Sequence, residues 1–157
     1  MSFPSSFKDN ADESIGLLFI KVYNIWHSEI KSALESINIT HPQFIILTVL
    51  GYLEQSLEHV TQKKISEFSD IDVMTVSQIV GLLEKKKLLE RRIHPTDSRA
   101  KSVILLDKGK ATLKIAVPLV EQIDKKFFQI LGDDEISMKK YLKKLLETKS
   151  KLHHKNV

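Results

Sequence analysis

The chain has 157 residues, a formal net charge of +4 and no cysteine. The lack of cysteine excludes disulfides, thiolate metal ligands, cysteine nucleophiles and thiol-based sensing of peroxides. A chain of this length forms one domain, or two small lobes that share a core. The N-terminal residues do not resemble a signal peptide and no apolar run is long enough to span a bilayer, so we expect a cytoplasmic protein.

Basic residues are concentrated in the second part of the chain. Residues 1–62 carry three Lys or Arg against seven Asp or Glu, whereas residues 63–110 carry eleven against seven. The densest stretch, residues 85–101, has seven basic residues and two acidic ones. A basic stripe of this kind is expected on a surface that meets phosphates, although an ordinary solvated face has the same composition.

The chain opens with two predicted helices. Apolar residues at helical spacing predict one long helix over residues 13–37, with a wide apolar stripe. A second helix is predicted over residues 41–53. Thr40 is a suitable N-cap for it, Pro42 lies in its first turn, and Gln43 follows the threonine by three residues, as a capping box requires.

Two shorter helices follow and together predict a helix-turn-helix. Thr61 caps the first, "QKKISEF", in which Ile65 and Phe68 face inward, and Asp72 caps the second, "VMTVSQIVGLLEKKK". The buried face of the second helix is predicted to consist of its apolar residues Val73, Val76, Ile79, Val80, Leu82 and Leu83. Its outward-facing residues are small or uncharged, namely Met74, Thr75, Ser77, Gln78 and Gly81. Such a face can enter a major groove, where Gln78 can pair with an adenine edge, although a short amphipathic helix without a ligand has the same pattern.

The pattern then changes from helix to strand. "LLERRI" and "KSVILL" are β-favouring runs separated by "HPTDSRA", which predicts a β-hairpin with a long tip. Alternation assigns each strand one face, Leu89, Arg91 and Ile93 on the first and Ser102, Ile104 and Leu106 on the second, and one face of the hairpin is expected to pack on the helices. Asp107 is predicted to cap a further helix in which Pro118 causes a kink or bend, and a last helix follows over residues 133–152.

The order of these elements and their residues resemble the MarR family of bacterial transcriptional regulators. The resemblance rests on "ITHPQFIIL" in the second helix, on "TVSQIVGLLEKKKLLERR" from the recognition helix into the wing, and on the D-x-R of "TDSRAKSVILLDKGK". Two residues depart from the family pattern. Lys87 stands where the family usually has a helix-ending glycine, and Gly81 where it usually has a charged or polar residue.

The resemblance implies a mainly α fold with a small β-hairpin wing. A winged helix-turn-helix lobe over residues 39–110 would lie between dimerisation helices over residues 1–38 and 111–157, within one intertwined domain. The opening and closing helices also carry a surplus of apolar residues, which favours a homodimer over a larger monomeric core. These residues include Phe19, Trp26, Phe127, Phe128, Tyr141, Leu142, Leu145 and Leu146.

On this interpretation we expect a sequence-specific DNA-binding transcriptional regulator, namely a repressor that binds a pseudo-palindromic operator as a homodimer. Arg99 at the wing tip is the residue expected in the minor groove, held by Asp97. The residues predicted to contact DNA bases or phosphates are Thr61, Gln62, Met74, Thr75, Ser77, Gln78, Lys85, Arg91, Arg92, Asp97, Arg99 and Lys101. For Arg91, Arg92 and Lys101, pairing within the protein, with residues such as Asp97, is the alternative to a phosphate contact. A winged-helix module that binds protein instead of DNA is the alternative for the whole chain.

Enzymatic and cofactor motifs are lacking from the sequence. No P-loop, dinucleotide fingerprint or HExxH motif occurs, so we expect neither an enzyme nor a cofactor. We expect a small aromatic or apolar effector as the signal. The candidate residues lining its site, which could equally be core residues without a ligand, are Tyr23, Trp26, His27, Phe44, Leu47 and Tyr52. His27 and His41 can approach one another where the first two helices meet, so a metal-responsive regulator remains a further alternative, although no metal ligand is assigned.

Overall fold

The computed structural model describes residues 4–7, 9–93 and 101–153, with side chains as far as residue 147. Six α-helices run over Ile15–Glu35 (α1), His41–Leu53 (α2), Gln62–Ser69 (α3), Val73–Lys85 (α4), Asp107–Phe128 (α5) and Asp134–His153 (α6). Three strands run over Val60–Thr61 (β1), Leu89–Ile93 (β2) and Lys101–Leu105 (β3). The predicted fold class, mainly helical with a small β-hairpin, is confirmed.

Local capping determines where the helices of the helix-turn-helix and its neighbour begin. Thr40 and Gln43 form the predicted capping box at the start of α2, because each side chain accepts a hydrogen bond from the other residue's backbone amide. The hydroxyl of Thr61 accepts from the amide of Lys64 at the start of α3, and the carboxylate of Asp72 accepts from the amide of Thr75 at the start of α4. All three predicted caps are therefore present.

Asp107 does not cap α5 as predicted. The carbonyl of Leu106 accepts a hydrogen bond from the amide of Lys110, which makes Asp107 the first helical residue and places its carboxylate in the first turn. The difference is one residue, and an acid in the first turn still suits the helix dipole. Pro118 lies inside α5, as expected.

The sheet has one strand more than the predicted hairpin. Its order is β1-β3-β2, with both pairs antiparallel. β2 and β3 pair from Leu89 opposite Leu105 to Ile93 opposite Lys101, and β1 adds Val60 opposite Val103. β3 buries the adjacent residues Ser102 and Val103, whose side chains point to opposite faces of the sheet, so burial in this strand is not confined to one face as predicted.

The chain divides into two compact units, residues 1–121 and 122–157. The core of the first unit joins α1 and α2 to the helix-turn-helix and the sheet. Its largest fully buried side chains are Ile30, Leu34, Ile46, Leu47, Leu50, Val60, Ile65, Val76, Val80, Leu83, Leu89 and Val103. The second unit contains the end of α5, a short turn of 3-10 helix over Gln129–Leu131 and α6.

Three side chains that were predicted to face inward are exposed. Phe68 of α3 is 54% exposed, and Val73 and Leu82 of α4 are 49% and 50% exposed. All three lie at the margins of their helical apolar stripes, where tertiary neighbours, and not periodicity, decide burial. Phe68 instead packs against the ring of Tyr52, with ring centroids 5.2 Å apart.

Candidate nucleic-acid interface

The N-terminal half of α4 presents the side chains that were predicted to read DNA. Met74 is 72% exposed and Gln78 is exposed, and neither makes a side-chain hydrogen bond to any residue that the structure describes. Ser77 is half-buried. The side chain of Thr75 is engaged within the protein, because its hydroxyl donates to the carboxylate of Asp72. This hydrogen bond and the one from the Thr75 backbone amide hold the pKa of Asp72 below its usual range. The exposed side chains of this half without a hydrogen bond to the described residues are therefore Val73, Met74 and Gln78, of which Gln78 alone is polar.

The start of α3 is joined directly to the sheet. Thr61 caps α3 and also pairs, as part of β1, with Ser102 of β3. Gln62 follows as the first residue of α3 and is half-buried. A helix N-terminus anchored in this way presents backbone amides in a fixed direction, which suits a phosphate contact.

A charged clamp joins the recognition helix α4 to the first strand of the wing. Glu84 of α4 accepts from Nε and Nη2 of Arg91 at 3.0 and 2.7 Å through one carboxylate oxygen, and from the backbone amide of Arg91 at 2.9 Å through the other. These bonds hold the pKa of Glu84 below its usual range, and the charge of Lys101 acts in the same direction. Of the two alternatives for Arg91, the structure shows pairing within the protein, with Glu84 as its partner.

Gly81 leaves room beside this clamp. A Cβ atom added to Gly81 would lie 3.6 Å from Nη2 of Arg91, which is an ordinary contact distance. The guanidinium of Arg91 therefore passes close to the backbone of α4 at the position where the sequence departs from the family pattern. The sequence shows Gly81 as a departure from the family pattern but gives no sign of its contact with Arg91, which is ten residues further along the chain.

The remaining basic candidates lie at the end of α4 and on the two strands of the wing. Arg92 pairs with Glu90 through Nε at 2.6 Å and stays largely exposed. Lys85, the last residue of α4, and Lys101, the first residue of β3, are both exposed. Asp97 and Arg99 belong to residues 94–100, which lie outside the described residues, so the predicted wing-tip pair stays a prediction.

The C-terminal end of α4 has a backbone conformation that is uncommon for lysine. Lys87 has a φ of 59°, in the left-handed region that favours glycine. The amide of Lys87 donates to the carbonyl of Glu84 and the amide of Leu88 donates to the carbonyl of Leu83, which together form a Schellman motif. The glycine that the family usually has at this position would adopt this conformation without strain.

An aromatic cluster lies where α1 meets α2. Tyr23 stacks on His27 with centroids 5.1 Å apart, and His27 lies 5.1 Å from His41. Trp26 contacts His41 edge-on at 5.4 Å, and Phe44 lies 6.4 Å from the same imidazole. Four of the six candidate effector residues are therefore brought together, with His41 at the centre.

The other two effector candidates lie elsewhere. Leu47 is fully buried in the core. Tyr52 is exposed and packs against the ring of Phe68, and not against a ring of the aromatic cluster. His41 was missing from the candidate set, although the approach of His27 and His41 was anticipated. Within the described part of the chain, no three His, Asp or Glu side chains form a group that could hold a metal ion.

Comparison with known proteins identifies the family. A model of the MarR family matches residues 37–100. The uncharacterized HTH-type transcriptional regulator YdcH of Bacillus subtilis is 37% identical over 128 residues, which cover 82% of this chain and 86% of YdcH. The chain belongs to the MarR family. It is thus a transcriptional regulator and not an enzyme, as the sequence predicted.

Other MarR-type proteins show the same likeness. The organic hydroperoxide resistance transcriptional regulator of B. subtilis is 31% identical over 126 residues, which cover 80% of each chain. The structure of the S. aureus MepR-DNA complex matches with a TM-score of 0.78 at 23% identity, over 88% of this chain and 99% of MepR. BpsR of Bordetella bronchiseptica, solved in a study of regulation of its DNA binding by 6-hydroxynicotinic acid, matches with a TM-score of 0.77 at 24% identity, over 87% and 95%. These two structural matches support the winged-helix fold.

No helix in the described residues has both the length and the apolar character needed to cross a membrane.

Proposed function

We propose that this MarR-family protein binds a pseudo-palindromic operator in double-stranded DNA as a homodimer and represses transcription there. The observation that carries the proposal is α4 itself. Its N-terminal half exposes Met74 and Gln78, while its C-terminal half is clamped to the base of a basic wing. An exposed polar helix face on a rigid support is what direct readout of a major groove requires. The DNA complex of MepR, a protein with the same fold, is consistent with this role.

Each candidate DNA contact has a distinct proposed task. Met74, Ser77 and Gln78 meet base edges, with Thr75 mainly completing the cap of α4. The proposed phosphate contacts are Thr61, Gln62, Lys85, Arg92 and Lys101. Arg91 acts by positioning the wing through Glu84. Arg99, held by Asp97, inserts into the minor groove, and this last assignment rests on the D-x-R motif alone.

Dimerisation is proposed through the opening and closing helices, that is, through residues 1–38 and 111–157. α1 exposes a row of large apolar side chains, and so does α6 within the second unit. On α1 these are Ile15, Leu17, Leu18, Phe19, Ile20, Val22, Tyr23 and Ile25, and on α6 Ile136, Tyr141, Leu142, Leu145 and Leu146. Apolar surface of this extent is expected to be covered by a second copy. Sedimentation equilibrium checks the proposal, and a monomer at micromolar concentration would contradict it.

A small aromatic or apolar effector is proposed to release the DNA. The aromatic cluster of Tyr23, Trp26, His27, His41 and Phe44 supplies stacking surfaces for a planar ligand. BpsR, which has this fold, has its DNA binding regulated by 6-hydroxynicotinic acid. The chain has no cysteine, so a thiol-based response to hydroperoxides is not open to it despite its 31% identity to a hydroperoxide resistance regulator.

Fluorescence anisotropy with labelled duplexes tests the DNA proposal. The protein is titrated into the promoter region of its own gene and into a scrambled duplex of the same length, each at two salt concentrations. We expect specific affinity to exceed that for the scrambled duplex by at least about a thousandfold and to fall steeply with salt. Equal binding to both duplexes, or no salt dependence, would favour a winged-helix module that binds protein.

The wing tip is tested in the same assay. Arg99→Ala is expected to weaken operator binding by about 1 to 3 kcal/mol without a change in the sedimentation coefficient. Wild-type affinity in this variant would show that the wing tip does not read DNA.

A further inference from the structure

Lys86, at the end of the recognition helix α4, is the point where several helix ends meet. Its Nζ donates to the carbonyl oxygen of Asn38 at 2.8 Å and to Oε1 of Gln43 at 3.0 Å. Its own carbonyl oxygen accepts from Nζ of Lys108 in the first turn of α5, at 3.0 Å. One residue therefore joins the end of α4 to the end of α1, the start of α2 and the start of α5.

The two acceptors of the Lys86 ammonium are rigidly placed. Asn38, three residues after the end of α1, is in the left-handed conformation with a φ of 62°, and the amides of Asn38 and Ile39 donate back to the last turn of α1. Gln43 is only 5% exposed, and the same oxygen that receives Lys86 also accepts from the amide of Thr40 in the capping box. A cation beside the carbonyl end of α1 also suits the dipole of that helix. The ammonium is thus held by two fixed acceptors.

The backbone around Lys86 adds a second link. Leu88, two residues later, accepts through its carbonyl oxygen from the amide of Leu106, just before α5. A Cβ atom added to Gly109 would lie 1.9 Å from that carbonyl oxygen, so α5 begins directly against the chain that leaves α4. The end of α4 is consequently held on one side by α1 and α2 and on the other by α5.

This arrangement matters because a dimer reads two half-sites. The proposed dimer is built by the opening and closing helices, α1 among them, and half-sites bound on one face of a duplex lie about 34 to 36 Å apart. The spread of distances between the two recognition helices therefore depends on how firmly each α4 is held against its own α1. A loose joint lets the helices follow several spacings, whereas a stiff joint selects one.

We propose that Lys86 is a positioning residue that sets the half-site spacing which the protein accepts, by fixing α4 to the junction of α1 and α2. The proposal rests on the DNA-binding dimer of the preceding section. Lys86 acts on specificity through geometry and makes no contact with DNA. It differs in this from Lys85, its exposed neighbour on α4, which is assigned to phosphate.

The test uses a duplex selected by the wild-type protein from randomised 30-base-pair DNA, with one or two base pairs then added or removed between the half-sites. Lys86→Met removes the ammonium and keeps the aliphatic stem, Lys86→Arg keeps a charged donor, and Lys85→Met removes the same charge one residue away. Affinity is measured by anisotropy for every spacing at three salt concentrations. Thermal unfolding of each variant is followed in parallel.

We expect the wild-type protein to prefer its own spacing by at least about tenfold. In Lys86→Met this preference falls below about threefold while the salt slope stays unchanged, and Lys86→Arg restores much of it. Lys85→Met instead weakens binding equally at all spacings and lowers the salt slope by about one. A Lys86→Met protein that keeps the wild-type preference overturns the proposal, whether or not its melting temperature falls. A uniform loss with a lower slope also overturns it, and makes Lys86 a phosphate contact.

Hydrogen exchange separates this proposal from the proposed function. If selection enriches no sequence with the wild-type protein, specific DNA binding fails, and the joint is judged on the free protein alone. The amides of Asn38, Gln43 and Leu88 are then expected to exchange at least about threefold faster in Lys86→Met than in Lys85→Met. Equal exchange in the two variants would show that Lys86 does not hold the junction.

Discussion

The two halves of the recognition helix α4 are used in opposite ways. In the first half, Met74 and Gln78 extend outward and make no side-chain hydrogen bond to the described residues. In the second half, Glu84 clamps Arg91 of the wing and Lys86, just beyond the helix, joins it to α1 and α2. If the proposed function holds, reading of DNA and positioning of the helix are separated along α4, and substitutions in the two halves should have different signatures. Substitutions at the exposed residues Met74 and Gln78 of the first half should change DNA binding alone, and those at the bonded residues of the second half should change stability as well.

The largest effect is expected where α5 begins against the end of α4. Gly109→Ala places a Cβ atom 1.9 Å from the carbonyl oxygen of Leu88, and only a backbone shift can relieve this contact. We expect a loss of about 3 kcal/mol in the free energy of unfolding, measured by urea denaturation. Gly81→Ala is the matched control, because its Cβ has room and alanine favours a helix, so that it should stabilise by up to about 1 kcal/mol. Equal effects of the two substitutions would contradict the close packing at Gly109.

The next effect belongs to the reading half of α4. Gln78→Ala removes an exposed amide, so operator binding should weaken by about 1 to 3 kcal/mol while unfolding in urea changes by less than about 0.5 kcal/mol. Duplexes substituted one base pair at a time locate the contact, because the variant should lose discrimination at one base pair in each half-site. Loss of affinity without loss of discrimination would assign Gln78 to the phosphate backbone. A large loss of stability would contradict the separation of reading from positioning.

The clamp between α4 and the wing should show itself in the pH dependence of stability. Arg91 holds the pKa of Glu84 in the folded protein below its pKa in the unfolded chain. The stabilisation by this pair is therefore fully present at a pH above the unfolded-state pKa, and it is lost as the pH falls through the folded-state pKa. Glu84→Gln is expected to cost roughly 1 kcal/mol at pH 7 by urea unfolding, since the pair is partly screened by solvent. The difference from wild type should close as pH falls below about 4.

A matched substitution serves as the control for this clamp. Glu90 pairs with Arg92 at the surface, where the pair is more exposed, so Glu90→Gln should cost no more than about 0.5 kcal/mol. If Glu84→Gln cost as little at every pH, the clamp would contribute nothing to holding the wing.

Local signals in the sequence predicted much of this fold. The caps at Thr40, Thr61 and Asp72 and the pairing of the hairpin strands follow from local patterns in the sequence, and the structure confirms them. The predicted alternation of faces does not hold throughout, because β3 buries the adjacent residues Ser102 and Val103 and Ile93 of β2 is exposed. β1 was missed, because two residues carry no period and their partners are about forty residues away in β3. Asp107 was predicted to be the N-cap of α5 but is its first helical residue, because an acid is favourable both at the cap and in the first turn of a helix.

The candidate site was less predictable, because its contacts join distant parts of the chain. Lys86 lies in a run of three lysines and looks like a solvated residue, yet its partners are 43 and 48 residues away. Val73 and Leu82 were expected inside because they fit the helical period, and only the neighbouring elements determine that they are exposed. The pairing of Glu84 with Arg91 spans seven residues across a helix end, where no simple period applies.

The smallest effect separates stability from DNA binding at the end of α4. Lys87 has a φ of 59°, which costs a residue with a Cβ atom about 1 kcal/mol or more, whereas glycine adopts it freely at the expense of a more flexible unfolded chain. Lys87→Gly should therefore stabilise by a net 0.5 to 1 kcal/mol, roughly, in urea unfolding. Asn38→Gly is the control, because asparagine tolerates its φ of 62° and the gain should be smaller.

The same variant shows why a lysine replaces the usual glycine. If its charge meets a phosphate, Lys87→Gly should bind operator more weakly, with a salt slope lower by about one, although the folded protein is more stable. Unchanged affinity and slope would leave the strained lysine without a role in DNA binding and confine the basic contacts to Lys85 and the wing. A substitution that raises stability and lowers affinity would show that Lys87, just beyond the end of α4, serves the interface at a cost to the fold.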